Sequence, residues 1–219
     1  MKTRHPLVVV DYGLGNLFSI DRALRRVGAA PLVSRRPEDV AKADRVILPG
    51  VGAFGDGMRG LRENGLIEPL REVAASGRPL LGICLGMQLL LDEGAEFGVH
   101  PGLGVVPGKA VPFPRSDGDR FKVPHVGWNA LAPVPGPASS WKGTILGGLP
   151  AQSQVYFVHS FIVAPAEPAD RLAETHYGGT AFCSVLRLGN VQGCQFHPEK
   201  SGPTGLAILA AFSSGGLTP

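Results

Sequence analysis

The feature that most restricts this chain is the stretch Pro79-Leu80-Leu81-Gly82-Ile83-Cys84-Leu85-Gly86-Met87-Gln88-Leu89-Leu90. An unbroken apolar run leads into Cys84. Such a run reads as a strand covered on both faces, the environment of a parallel sheet packed between helices. Gly82 and Gly86 flank the cysteine two residues away on each side. This G-x-C-x-G pattern is the thiol counterpart of a nucleophile elbow, a sharp strand-to-helix turn that thrusts one side chain out at the end of a sheet. Neighbours without a Cβ let such a turn close. A helix running from Leu85 to about Asp92 would aim its positive end at Cys84 and favour the thiolate. It would also leave the Leu85 N–H free to bind an oxyanion. The same residues suit a buried structural cysteine, since free cysteines are among the most buried residues. Alone, the stretch leaves both readings open.

The chain before the elbow alternates strand and helix signals. Leu7 to Val10 is a short apolar run followed by the turn Asp11-Tyr12-Gly13-Leu14-Gly15-Asn16. Ile20, Leu24 and Val27 then recur at helical spacing, and Gly28 stands where a C-cap is expected. Gly13 and Gly15 do not make a dinucleotide fingerprint, because Phe18 occupies the place of the third glycine. Pro31 to Val33 and Arg45 to Leu48 read as strands, and Met58 to Ala75 as helix with a break near Asn64-Gly65. Strands alternating with helices predict an α/β fold with a mostly parallel central sheet flanked by helices. Ligands of such sheets sit beyond the carboxyl ends of the strands. Asn16, the Pro49-Gly50-Val51-Gly52 turn and Cys84 are all expected at those ends.

After Gly94 the texture changes to short, Gly- and Pro-rich segments, which predicts an added small antiparallel β portion in the second half. Leu103 to Val106, Gln154 to Val163, Leu172 to Thr175, Phe182 to Leu188 and Val191 to Phe196 read as strands, and Thr204 to Phe212 as a closing helix. Residues 132–150, with four prolines and four glycines, read as a surface loop. Residues 213–219 read as a frayed tail. At 219 residues with 44% hydrophobic content, one domain over 1–219 with a sizeable core is expected. A net charge of +3, scattered along the chain, does not suggest nucleic acid. No stretch approaches a membrane span. Three cysteines without a C-x-x-C pair suggest neither a disulfide framework nor a zinc site. Free thiols suit a reducing, cytoplasmic setting.

A thiolate nucleophile needs a base, and the base needs an orienting group. Of the six histidines, His197 has Glu199 two residues on. In an extended chain, positions i and i+2 face the same side, so a carboxylate could hold one imidazole nitrogen while the other faces Cys84. A surface His-Pro-Glu turn with no role is the plain alternative.

Together, Gly82-Ile83-Cys84-Leu85-Gly86-Met87-Gln88 and Gly193-Cys194-Gln195-Phe196-His197-Pro198-Glu199-Lys200-Ser201 resemble the two signatures of the class I (triad) glutamine amidotransferases, whose fold is flavodoxin-like. The resemblance implies that Cys84 attacks the side-chain amide of glutamine through a thioester, with His197 as acid/base and Glu199 as its orienter. It implies an oxyanion hole from the Val51 and Leu85 backbone N–H groups, and glutamine contacts from Gly52, Gln88, Glu96 and Ser160. Four runs narrow it: Asp11 to Leu17, Pro124-His125-Val126-Gly127-Trp128-Asn129, Tyr156-Phe157-Val158-His159-Ser160 and, within the second signature, His197 to Ser201. These are similar to the glutaminase subunits of imidazole glycerol phosphate synthase, over roughly residues 7–212. That implies a heterodimer with a (β/α)8-barrel cyclase in histidine biosynthesis, with Asn16, Trp128 and Lys200 facing the partner and neither cofactor nor metal. Val126 and Phe161 depart from the family's usual methionine and tyrosine, both keeping an apolar body. A glutaminase serving another synthase, or a γ-glutamyl hydrolase, would use similar elements.

Overall fold

The computed structural model describes residues 7–114, 121–135 and 140–215. The first half alternates as its apolar spacing predicts: β1 (Leu7–Val10), α1 (Leu17–Arg26), β2 (Leu32–Ser34), α2 (Pro37–Lys42), β3 (Arg45–Leu48), α3 (Phe54–Glu63), α4 (Ile67–Ala75), β4 (Leu80–Ile83) and α5 (Leu85–Leu89). The second half holds β5 (Leu91–Gly94), β6 (His100–Pro101), β7 (Val106–Pro112), β8 (His125–Ala130), β9 (Ala132–Pro133), β10 (Gln154–His159), β11 (Phe161–Pro165), β12 (Arg171–Tyr177), β13 (Thr180–Leu188), β14 (Val191–Cys194) and α6 (Gly202–Ser214).

The heart of the sheet is the parallel run β2-β1-β3-β4-β14. Successive side chains on a strand face opposite ways, and here both ways lead into core. Leu7 and Val9 of β1 pack on one face with Ile20 and Leu24 of α1 and Ile208, Leu209 and Phe212 of α6. Val8 and Val10 pack on the other with Leu61 of α3 and Leu70 and Val73 of α4. Two covered faces explain why these strands are apolar throughout rather than alternating. The antiparallel portion takes two forms. β13, β11 and β7 continue the same sheet beyond β14, while β8 and β10 pair as a separate two-stranded ribbon. The last strand, β14, inserts beside β4, so Cys194 lies opposite Ile83 and the Cys84 N–H donates to Cys194 O at 2.8 Å.

Several boundaries differ from the sequence reading. α5 ends at Leu89 rather than near Asp92, and Leu91–Gly94 becomes a strand on β7. A short apolar run such as Leu89-Leu90-Leu91 carries no period that separates helix from buried strand. The helix expected from Met58 begins at Phe54. Its first turn is glycine-rich because Gly57 packs against the side chains of Leu85 and Leu89. The single strand expected over Gln154 to Val163 is two, broken at Ser160 and belonging to different sheets.

Residues 132–150 are not simply a surface loop. Ala132–Pro133 pairs with β12, and Trp141, Ile145 and Leu146 are buried in the core. The Trp141 Nε1–H donates to Leu172 O at 3.1 Å, and the Ile145 N–H to Gln192 Oε1 at 2.9 Å. Of the expected frayed tail, Ser213 and Ser214 belong to α6, and residues 216–219 lie outside the described residues. Among the described residues no helix is long and apolar enough to cross a membrane.

Candidate active site

Cys84 sits between β4 and α5 with φ 54° and ψ −112°. Positive φ is uncommon for a residue with a Cβ, and holding it costs on the order of 1–3 kcal/mol. Its neighbours make the turn possible. A Cβ on Gly82 would meet the Met87 backbone nitrogen at 2.7 Å, and one on Gly86 would strike the Leu48 carbonyl oxygen. The elbow is thus pressed against both its own helix and the Pro49 turn. The Met87 and Gln88 N–H groups donate to Cys84 O at 3.0 and 3.3 Å. As the first residue of α5, Leu85 has no carbonyl within the helix to receive its N–H. With only five residues, α5 carries less dipole than the longer helix expected, so its free first-turn N–H groups matter more than a summed dipole.

His197 follows β14, the strand beside β4, which is why two residues far apart in sequence meet. Its backbone is pinned from several sides. Its N–H donates to Tyr156 O at 2.9 Å, and its carbonyl accepts from Ser201 Oγ at 2.6 Å and the Lys200 N–H at 3.0 Å. Ser201 Oγ in turn accepts the Tyr156 N–H at 2.9 Å. The His197 Nδ1 lies 2.9 Å from Glu199 Oε1, and both side chains are almost completely buried. The pairing arises in a 3-10 turn over Pro198–Lys200, not in the extended chain expected, because Pro198 fixes φ at the start of that turn. An ionised carboxylate can only accept, so Nδ1 carries the proton and Nε2 is left over. Nε2 is buried and has no hydrogen-bond partner, as is Glu199 Oε2. Burial opposes a charge on the ring, but Cys84 and Glu199 outweigh it and raise the His197 pKa to about 10. The site therefore favours an imidazolium facing the Cys84 sulfur.

Cys84 and His197 line one cavity of about 580 Å³, together with Val51, Gly52, Leu85, Gln88, Glu96 and Ser160. Its size is ordinary for a small-molecule site. Gly52 has φ +101°, a backbone that side chains rarely adopt. Glu96 Oε2 accepts the Phe54 N–H at 2.8 Å, which ties its carboxylate to the start of α3. Gln88 is buried, and its amide Nε2 lies 3.3 Å from Phe161 O and 3.1 Å from Gln195 Oε1. A hollow of about 640 Å³ lies elsewhere, between α1 and the Pro198–Lys200 turn. Its lining includes Ser19, Arg22, Arg25, Arg26 and Glu199 but neither Cys84 nor His197.

The remaining positions singled out in the sequence lie outside the cavity. Asn16 Oδ1 accepts the Ser19 N–H at 3.2 Å and caps α1, which packs against the Pro198–Lys200 turn. Lys200 is exposed on that turn. Trp128 is 56% exposed, beside Gly202. Trp128 and Lys200 thus both stand at the surface, outside the cavity.

Gln195, His159 and His125 are all buried, and the sequence alone assigns them no role. Gln195 Nε2 lies 3.7 Å from Cys84 Sγ. His159 faces the cavity, and its Nε2 lies 3.1 Å from His125 Nδ1. Burial lowers their pKa values to about 3 and about 4, so both rings are neutral. All three stand within the sequence motifs, and the i, i+2 relation that selected Glu199 from His197 points equally to Gln195. Cys194 and Cys183 match no such role. Burial pushes both thiols up, Cys183 to about 12. Among the described residues no group of three His, Cys, Asp or Glu side chains is placed to hold a metal ion.

The chain matches the family model described as glutamine amidotransferase class-I over residues 8–214. It is 48% identical over 206 residues to imidazole glycerol phosphate synthase subunit HisH 1 of Legionella pneumophila (strain Lens), covering 93% of this chain and 96% of that protein. It is 46% identical to the HisH subunit of Syntrophotalea carbinolica, covering 94% and 98%. Among solved structures it resembles PurLQS from Thermotoga maritima, with TM-score 0.71, 18% identity and coverage of 94% and 96%. A crystal structure of a glutamine amidotransferase matches with TM-score 0.67 at 22% identity, covering 93% and 98%. At such identities these two structures speak for the fold alone.

Proposed function

Because the chain belongs to the class I glutamine amidotransferase family, we propose that Cys84, His197 and Glu199 are its catalytic triad. The protein is a glutaminase that serves the cyclase partner of imidazole glycerol phosphate synthase in histidine biosynthesis. The observation that carries the residue assignment is the strained elbow cysteine sharing one cavity with His197, which is backed by the buried Glu199, beyond adjacent parallel strands.

The Cys84 thiolate attacks the carboxamide carbon of glutamine. The oxygen takes up the negative charge against the Leu85 and Val51 N–H groups, each such donor being worth roughly 3–4 kcal/mol in the transition state. His197 passes its Nε2 proton to the leaving nitrogen, ammonia departs, and a γ-glutamyl thioester remains. Water then gives a proton to Nε2 as its oxygen attacks the thioester carbon. The C–S bond breaks, releasing glutamate and restoring the thiolate–imidazolium pair. Glu199 keeps the proton on Nδ1 throughout, so Nε2 is always the nitrogen that exchanges. Gly52, Gln88, Glu96 and Ser160 hold the substrate, with the Glu96 carboxylate suited to its α-ammonium group.

The partner is a separate (β/α)8-barrel cyclase in a heterodimer, met through a face that includes Asn16, Trp128 and Lys200. Three free cysteines support a reducing, cytoplasmic setting, and a family match across nearly the whole chain supports one domain. The test is Cys84→Ala in the assembled complex, which should abolish glutamine-dependent synthesis and leave synthesis from added ammonia intact. Loss with both nitrogen sources would sink this division of labour.

A further inference from the structure

Gln195 is completely buried one residue beyond β14 and takes no part in the steps above. Its side chain lies between Gln88 and the thiol, and the surrounding bonds decide which way its amide points. Phe161 O is a backbone carbonyl and can only accept. Gln88 must therefore turn its NH2 toward Phe161 O, at 3.3 Å. The same NH2 then donates to Gln195 at 3.1 Å, so Gln195 presents Oε1 to Gln88 and its own NH2 to Cys84 Sγ at 3.7 Å. A fixed N–H donor against sulfur favours the form that can accept. The thiol form has a different outlet, since Sγ also lies 3.9 Å from Val158 O, to which an S–H could donate.

We propose that Gln195 is a positioning residue that holds Cys84 as the thiolate, its amide N–H aimed at Sγ by a lock formed from Gln88 and Phe161 O. The inference rests on the reading of Cys84 as the nucleophile. The other groups around the sulfur leave room for this role. His197, from the turn after β14 and backed by Glu199, supplies the positive charge. Tyr12, from the turn after β1, has its phenol pushed up by burial and by Cys84, and donates to Pro49 O at 2.8 Å. Cys194 of β14 is likewise held as the thiol. His159, at the end of β10, is neutral and bonded to His125 and Phe161 O. Gln195 is thus the neutral donor that complements the His197 cation. Its place is set by strand register, which leaves it beside Cys84 just as β14 ends.

The test is the rate of Cys84 alkylation by iodoacetamide in the full-length chain, followed by mass spectrometry from about pH 5 to about pH 10. The fully buried Cys183 and Cys194 are internal controls. Gln195→Met keeps the length and removes the donor. The midpoint of the rate profile should move up by about one pH unit, and alkylation below it should fall about tenfold, the scale expected when a charged acceptor loses one hydrogen bond. Gln88→Met, which releases the lock while leaving the Gln195 and Cys84 side chains themselves unchanged, should move the midpoint the same way by less. A lowered melting temperature with an unmoved midpoint would make Gln195 merely structural and overturn the proposal. If Gln195→Met does not fold, the Gln88→Met midpoint decides in the same sense. Undiminished glutamine hydrolysis after complete alkylation of wild-type Cys84 would instead overturn the nucleophile assignment, and this proposal with it.

Discussion

Gly86→Ala separates the stability of the elbow from its geometry. The added methyl would point into the Leu48 carbonyl oxygen, with the Leu48 carbonyl carbon at 2.8 Å and the Pro49 carbonyl carbon at 3.2 Å. All three are backbone atoms, so no side chain can rotate away. The start of α5 and the Pro49–Gly52 turn must part by at least about 1 Å, and those two segments carry the proposed oxyanion donors Leu85 and Val51. Forcing extra volume into a packed core costs about 1–3 kcal/mol. For a chain of this size that lowers the melting temperature by roughly 2–10 °C, leaving the protein folded at room temperature. Catalysis should suffer much more, because a misplacement of about 1 Å can cost 100-fold. Steady-state glutamine hydrolysis should show kcat down at least about 100-fold with a smaller change in KM. Gly57→Ala is the control. Its methyl would meet only the ends of the Leu89 and Leu85 side chains, at 3.0 to 3.3 Å, which can give. It should lose stability on a similar or smaller scale and keep most of its turnover. Turnover in Gly86→Ala within about threefold of wild type, or a loss matched by Gly57→Ala, would refute the argument that contact between these two backbones sets the oxyanion geometry.

The buried histidines predict how stability varies with pH. His159 and His125 have folded pKa values lowered by burial to about 3 and about 4 from 6.5, so the unfolded chain binds their protons more readily. Their contribution is complete above about pH 6.5 and is lost as pH falls toward the folded values. His197 has the opposite sign: burial lowers its pKa, but Cys84 and Glu199 outweigh this and raise it to about 10, so its contribution is complete below pH 6.5 and is lost as pH rises through 10. Urea midpoints should therefore drop on both sides of neutrality, and an unchanged midpoint between about pH 7 and pH 5 would contradict the acid arm. Trp141→Ala should cost about 3–5 kcal/mol by urea unfolding, because the indole is buried and donates to Leu172 O. A cost below about 1 kcal/mol, the scale of a surface change, would restore residues 140–150 to the status of a loop.

The first half of the fold was legible because each strand and helix there satisfies a local pattern. Leu7 to Val10 and Leu80 to Ile83 are apolar on both faces, and Ile20 and Leu24 lie one turn apart. The second half was less so. Ser160 is one residue in a run of strand formers, yet it divides β10 from β11 and sends them to different sheets. Nothing local marks that division, since the reason is tertiary: β10 pairs with β8 and β11 with β7. The 132–150 stretch misled in the other direction. Its prolines and glycines describe a chain without regular structure, but irregular backbone can still bury a side chain when its polar groups find partners, as the Ile145 N–H finds Gln192.

The candidate site shows the same division more sharply. Cys84, His197 and Glu199 could be proposed from residue type and spacing, because a nucleophile, a base and a carboxylate each carry their chemistry in their name. A glutamine does not. Gln195 becomes meaningful only through the register of β14 on β4, which pairs Cys194 with Ile83 and so leaves the next residues of both strands, Gln195 and Cys84, side by side. The two strands are parallel, so both end at the same edge of the sheet, where their mutual ladder stops and each segment is free to leave in its own direction, the Gln195 N–H already turned to Ser184 O at 2.9 Å. One segment uses that freedom to turn sharply and present a thiol. The other uses it to place first an amide against the sulfur and then, two residues on, an imidazole beside it. A parallel pair of this kind assembles a reactive centre from two distant segments by alignment alone. The glycines at 82 and 86 let the elbow close, Gly82 against its own helix and Gly86 against the Leu48–Pro49 backbone.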